Sequence, residues 1–366
     1  MKNTIGNNIS VTLFGESHGS AIGAVIDGLA PGISISRDYI DNELKRRRPE
    51  GAISTSRREA DEYSFVSGVR NGLTTGTPLC VLIPNKEQDS SAYENIKNTP
   101  RPSSADYTGY VKYNGFNDPR GGGHFSGRLT AALVLAGAIL RSALEAKGIF
   151  IGSHIKTLGS ISDRDFICNA DDVKYLKDSS FPVLGESASE KMQDAILCAS
   201  KSGDSVGGII ESIVLGMPCG IGEPWFDTVE GCISKLLFSV PGIKGVEFGS
   251  GFALCSMKGS EANDQLTVDN GVIITKTNHG GGVDGGITNG MPILFRSVVK
   301  PTASISKEQT TVDLTSMEEA TIKITGRHDP AIVHRACAVV DAVTAIALAD
   351  LLATAYGTNW LRGDKK

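Results

Sequence analysis

Residues 120–148 read RGGGHFSGRLTAALVLAGAILRSALEAKG, and the rest of the chain is best understood outward from this stretch. Three successive glycines suggest backbone brought close to something, because a residue without Cβ permits approaches that others forbid. From Arg128 to Lys147 the residues read as a long apolar helix, closed by Gly148. The same rhythm returns near the C-terminus. There Gly326-Arg327-His328-Asp329-Pro330 precedes an alanine-rich helix expected from about 331 to Tyr356 and ended by Gly357.

Upstream, Val11-Thr-Leu-Phe14 reads as a short strand, and residues 22–35 as a strand, a turn and a further extended piece. A helix is expected to start at Ser36, a good N-cap, with Asp38 in its first turn and Ile40 and Leu44 on one face. Pro49 stops it, which leaves Arg46, Arg47 and Arg48 at its C-terminus, where they suit the dipole. Residues 78–84 form a buried strand candidate. From about 85 to 126 periodicity vanishes, and a polar segment of that length is usually functional or mobile. Further strands are expected near 207–216, 271–276 and 291–299, with a glycine loop at 280–286. The whole reads as α+β and as one domain over 1–366. The long helices should form a core flanked by antiparallel sheets, and an internal pseudo-repeat is suggested, each half setting a glycine and arginine loop before a long helix.

Glycine numbers 43 of 366 residues, about 12% against a usual ~7%. The net charge of −5 argues against nucleic acid as a partner. Arginine is nonetheless dense beside glycine and proline turns; any one is read more simply as solvated surface, but together they suit a small polyanion. The seven cysteines show neither a CxxC pair nor metal-ligand spacing. They are expected to be buried, reduced thiols of a cytoplasmic protein. The N-terminus offers no signal-peptide core, and the apolar stretches 129–140 and 336–355 are short or broken by Asp341 and Asp350, so no membrane span is expected.

Several segments can carry chemistry. Gly15-Glu16-Ser17-His18-Gly19 fits G-x-S-x-G, which raises a serine hydrolase using Ser17. Too few residues precede it for the strands and oxyanion loop that such a site needs. His18 remains a good acid or base candidate. Gly121 to Arg128 leads into a helix and could bind an anion through backbone N–H groups, Ser126 and Arg128. Gly280 to Ile287 with Lys300-Pro301-Thr302-Ala303-Ser304 offers a second phosphate site. Neither is a P-loop or a dinucleotide fingerprint. Asp329, before a helix-starting proline, reads most simply as an N-cap.

Taken in order, Gly15-Glu-Ser-His-Gly19, Arg46-Arg-Arg-Pro49, Arg57-Arg-Glu59, Thr75-Gly-Thr-Pro78, Arg101-Pro-x-x-Ala-Asp-Tyr107, Arg120-Gly-Gly-Gly123, Lys300-Pro-Thr302 and Gly326-Arg-His-Asp-Pro330 resemble the chorismate synthase family along nearly the whole chain. The resemblance implies a lyase that eliminates phosphate and the C6 proton, 1,4-anti, from 5-enolpyruvylshikimate 3-phosphate with reduced FMN. It implies His18 as a general acid near the phosphate and Asp329 as the partner of the flavin N5 in proton removal. Arg47, Arg48, Arg128 and Arg335 would contact the substrate. His124, Phe125, Ser126, Gly285, Lys300, Pro301, Thr302, Ala303, Ser304 and Arg327 would bind FMN, and Arg47 would serve NADP in members that reduce their own flavin. A homotetramer is implied, and an external flavin reductase, with NADPH as indirect reductant. Segments near 45–60 and 85–125 would cover the flavin and order on binding. One departure stands out: Ser104 occupies the position of a family histidine. The expectation is that flavin binding survives with lowered turnover, which Ser104→His would raise, or that the chain is a non-catalytic relative.

Overall fold

The helix Thr130–Glu145 lies buried almost all round, and the reason is visible at its middle. A Cβ on Gly137 would sit 2.4 Å from that of Ala342, so this helix and Val333–Tyr356 cross nearly backbone to backbone. Small residues at a crossing allow that approach and bring the flanking apolar side chains into close contact. The computed structural model describes residues 2–49, 51, 53–54, 60–86, 98–324 and 329–362.

The first half builds one antiparallel sheet from β1 (Thr4–Ile5), β2 (Ser10–Gly15), β3 (Ala21–Asp27), β4 (Ser64–Ser67) and β5 (Leu79–Pro84), in the order β1-β2-β3-β5-β4. Alternation in β5 buries Leu79, Val81 and Ile83 against the helices, as a half-covered strand requires. The second half builds another from β6 (Phe150–Leu158), β7 (Ile161–Ser162), β8 (Gly208–Leu215), β9 (Ile243–Phe248) and β10 (Ile293–Val299), in the order β7-β6-β8-β10-β9. The two orders match apart from the short edge strand, which precedes its neighbour in the first half and follows it in the second. In each half three sheet strands, a helix, two strands and a long helix follow one another: α1 (Arg37–Arg47) and α2 (Thr130–Glu145) in the first, α3 (Val229–Leu237) and α4 (Val333–Tyr356) in the second. The internal repeat is therefore real in connectivity, and these four helices form the layer between the sheets.

One hydrophobic cluster runs from Ile9 to Leu361 through both halves. Within it lies an ionic knot: Arg46 donates to Glu43 at 2.7 Å and to Asp341 at 2.8 Å, and Arg141 pairs with the same two acids at 2.8 and 3.4 Å. Ser153 of β6 donates to Asp341 at 2.6 Å, which ties the second sheet to helices from both halves. Gly127–Glu145 and Val333–Tyr356 are long and apolar enough to cross a membrane, but 78% and 94% of their apolar windows are buried inside the protein, as core helices. The cysteine expectation needs correction. All seven are free thiols, yet Cys168, Cys198, Cys219 and Cys255 are exposed and only Cys337 is fully buried. Apolar neighbours in sequence misled there; Cys198, for example, sits on a half-solvated amphipathic helix, Glu186–Lys201.

Candidate active site

The loops that enter α2 and α4 occupy equivalent places in the two halves, and they meet. Arg101 donates through Nε and Nη2 to Asp106 at 2.7 and 2.8 Å, and through Nη1 to Ser304 Oγ at 3.1 Å. Lys300 donates to the Ser103 carbonyl. Thr311 Oγ1 and Leu314 N close the seam on Pro100 O and Asn98 O at 2.5 and 2.9 Å. Beside the seam opens a cleft of about 760 Å³, counted with its mouth, whose walls include Arg101, Tyr110, Gly122, Phe125 and Leu314.

The arginines gather close by. Ser36 caps α1 by accepting from Tyr39 N at 3.2 Å, and the helix delivers Arg47 and Arg48 at its far end. Arg47 Nη2 and Arg48 Nε donate to Asp61 Oδ2 at 2.9 and 3.2 Å, and Arg128 Nη1 donates to Asp61 Oδ1. Arg335, in the first turn of α4, donates to Arg47 O at 2.9 Å and to Asp329 Oδ2 at 2.7 Å. All four arginines expected from the sequence are thus contiguous. Burial opposes charge on Asp61, but Arg47 and Arg128 prevail and hold its carboxyl down at about 2. Burial, helped by Arg335 and Arg128, lowers Arg47, with Asp61 opposing. Behind them His334 is pushed down to about 4 by burial and stays neutral. The surface reading fails for the Arg46–Arg48 triplet, since acids distant in sequence, Asp341 and Asp61, pair with it indoors. The N-cap reading fails for Asp329 too, because its carboxylate is bonded to Arg335 and α4 has no side-chain cap.

His18 sits in the turn between β2 and β3, only 5% exposed. Ser17 Oγ donates its one hydrogen to Arg120 O at 3.2 Å, so it can only accept from His18 Nδ1 at 3.1 Å. Gly121, at φ +61°, passes so close that a Cβ would stand 2.1 Å from His18 Cε1. The glycine run does bring backbone close to something, and that something is this histidine. The hydrolase reading is overturned here, because Gly15–Gly19 joins two antiparallel strands rather than a strand and a helix.

The remaining candidates are placed as follows. His124 Nδ1 donates to Gly15 O at 2.8 Å, Phe125 lines the cleft, and Ser126 Oγ accepts from Arg128 N at 3.2 Å. Thr302 Oγ1 donates to Asp329 O at 2.8 Å, so the run Lys300–Ser304 (Pro301 and Ala303 included) follows the seam. Ser104 Oγ donates to Arg101 O at 2.9 Å and accepts from Asp106 N at 3.1 Å. Gly285 goes elsewhere, into a hairpin turn whose next residue, Gly286, packs on Thr228 and Glu223. The run Gly280–Gly282 does not join Lys300 in a phosphate site: Gly280 N and His279 N donate to Asp264, while Lys300 turns to Ser103. Arg57, Arg58, Glu59, Arg327 and His328 lie outside the described residues, as do parts of the two segments expected to order on binding. Sequence reasoning missed Asp61 and Asn85. Asn85 accepts from Arg128 Nε at 3.1 Å and donates to Glu16 O and Gly19 O at 3.0 and 2.8 Å, linking the arginines to the His18 turn. Only the position of Asp61, shortly after Arg57-Arg58-Glu59, hinted at it.

The family model described as chorismate synthase matches residues 9–353. The chain belongs to the chorismate synthase family. The chorismate synthase of Thermococcus gammatolerans is 48% identical over 348 residues, 95% of this chain and 96% of that one. That of Dehalococcoides mccartyi is 45% identical over 353 residues, 96% of each. A crystal structure of a chorismate synthase superposes with a TM-score of 0.77 at 29% identity, covering 96% of this chain and 94% of that chain. A chorismate synthase is a carbon–oxygen lyase acting on a small molecule, and that class fits a site of arginines, a histidine and a carboxylate. Neither a hydrolase nor a non-catalytic relative gains support from these likenesses.

Proposed function

We propose that the site eliminates phosphate and the C6 proton of 5-enolpyruvylshikimate 3-phosphate in 1,4-anti fashion, giving chorismate, with reduced FMN bound beside the substrate. The observation that carries this reading is the gathering of guanidiniums at the seam: Arg47, Arg48, Arg128 and Arg335 lie together about Asp61 and Asp329. Four arginines so placed suit a substrate bearing two carboxylates and a phosphate. Fixed guanidiniums also stabilise negative charge as it grows on the departing phosphate. His18 gives a proton to that leaving group, its ring steadied by Ser17. Asp329, held by Arg335, takes part in moving the C6 proton.

Reduced FMN fits what this chain offers. Tyr110, Phe125 and Leu314 give the cleft apolar and aromatic walls for a ring system. Burial and the neighbouring Lys244 both disfavour charge on Lys300, which suits it to an anionic partner. When bound, the flavin supplies transient electron density with no net redox change. His124, Phe125, Ser126, Lys300, Pro301, Thr302, Ala303, Ser304 and Arg327 would hold it, whereas Gly285 lies in its own hairpin turn. An external reductase using NADPH, a homotetramer and a cytoplasmic setting complete the reading; free thiols at all seven cysteines favour the last.

The test is anaerobic, with dithionite-reduced FMN and 5-enolpyruvylshikimate 3-phosphate, following chorismate by absorbance. Product that depends on reduced flavin is expected. No product, with both ligands bound, would overturn it. Sedimentation of the purified protein tests the tetramer.

A further inference from the structure

Three guanidiniums, two from the end of α1 and one from the entry to α2, converge on one carboxylate. Asp61 is 3% exposed, and both of its oxygens are taken by Arg47, Arg48 and Arg128. It holds φ +50°, a left-handed conformation that aspartate tolerates better than most residues. Like charges this close repel, and without a shared acid they would turn apart toward water or toward other acceptors. Yet one carboxylate does not saturate them. The Nε of Arg47 is buried without a hydrogen-bond partner, in a side chain 5% exposed.

We propose that Asp61 is a positioning residue whose carboxylate preassembles Arg47, Arg48 and Arg128 and tempers their affinity for the phosphate or carboxylate groups of substrate and product. This rests on the reading of those arginines as the substrate cradle. A permanent internal anion does two things there. It fixes the geometry before the substrate arrives, so the orientation is not assembled anew at each turnover. It also subtracts one unit of charge, so that released phosphate is not held too tightly. Grip on a ground-state anion that is not strengthened in the transition state does not raise turnover.

The consequence is unusual for the loss of a buried acid. Asp61→Asn, nearly isosteric, should tighten inhibition by inorganic phosphate about 10-fold while turnover falls about 10²-fold. The Michaelis constant should fall or hold, not rise. Asp61→Glu keeps the charge and displaces it, so phosphate inhibition should stay near that of the unmodified protein while turnover still drops. A merely structural role would lower the thermal midpoint and weaken phosphate binding in step. Phosphate inhibition unchanged or weakened in folded Asp61→Asn overturns the proposal. If that variant does not fold, Asp61→Glu decides: unchanged turnover overturns it, and lowered turnover with unchanged phosphate inhibition supports it. Arg48→Met separates the two layers of argument. If it leaves both phosphate inhibition and the Michaelis constant unaltered, the cradle reading itself has failed and the proposal with it. If it weakens both and Asp61→Asn changes neither, the cradle stands and the role of Asp61 alone is lost.

Discussion

At Gly121 the requirement for glycine is steric twice over, and each part can be measured. Its φ is +61°, and an added Cβ would meet His18 Cε1 at 2.1 Å and Ser17 Oγ at 2.9 Å. Gly271, at φ +82°, has nothing within 4 Å. Gly271→Ala should therefore cost only the left-handed strain, about 1 kcal/mol. Gly121→Ala adds displacement of the histidine, and turnover should fall about 10²-fold. Comparing turnover and thermal midpoint in the two variants isolates the collision, and equal turnover would mean that His18 need not be held where it is. Ser104 calls for a similar correction of expectation. Its hydroxyl joins Arg101 O to Asp106 N at the start of the helix Asp106–Lys112. Ser104→His forfeits both bonds, so a loss of about 1 kcal/mol is expected. Any gain in turnover must be read against that loss, by activity per folded molecule together with urea denaturation. A rate that does not rise would mean that this position carries no proton.

Among elements, β6 was the hardest to see in the sequence and has a testable charge. It escaped because Ser153 and His154, both 0% exposed, interrupt the apolar pattern that marks a buried strand. By contrast α1 declared itself through Ser36 and Pro49, and β5 through its unbroken apolar run between prolines. The site was legible only where residues lie together in sequence, as at Gly121–Arg128. Asp61 and Asn85 join it through folding alone, and periodicity carries no trace of such partnerships. His154 lies between Asp163 Oδ2 at 3.0 Å and Glu211 Oε2 at 3.1 Å, with Arg296 3.7 Å from Glu211 and Asp165 and Asp172 nearby. Burial opposes its charge, but the hydrogen bonds to the two acids prevail and raise it above its ordinary value. A raised value in the folded state means that the stabilisation is full below about 6.5. It is lost as pH climbs through the folded value. The thermal midpoint should thus decline as pH rises above about 6.5, and His154→Gln should flatten that decline. An equal slope in both proteins would rule this histidine out as the cause.

For the molecule as a whole, the ionic knot of Glu43, Arg46, Arg141 and Asp341 is the joint between the halves. Arg141, 1% exposed, also donates to Ile151 O on β6. Arg141→Met strands two buried carboxylates on Arg46 alone and should cost about 3–5 kcal/mol. Adding Glu43→Met should recover part of that loss, because uncompensated charge rather than missing attraction is the penalty. Urea denaturation of the single and double variants checks it, and a double variant no more stable than the single would refute the account.

The repeat has a further consequence in the language of genetic complementation. The chain passes from first half to second at Gly148, an open turn at φ +81° with nothing within 4 Å of the missing Cβ. A break there spares every contact between the halves. Arg47, Arg48, Arg128 and His18 then belong to one polypeptide, and Lys300, Asp329 and Arg335 to the other. Neither fragment owns a site, but the helix faces that meet at Gly137 and Ala342 should draw the two together. Residues 1–147 and 148–366, made from separate genes in one cell, should restore growth to a strain lacking this lyase where either alone cannot.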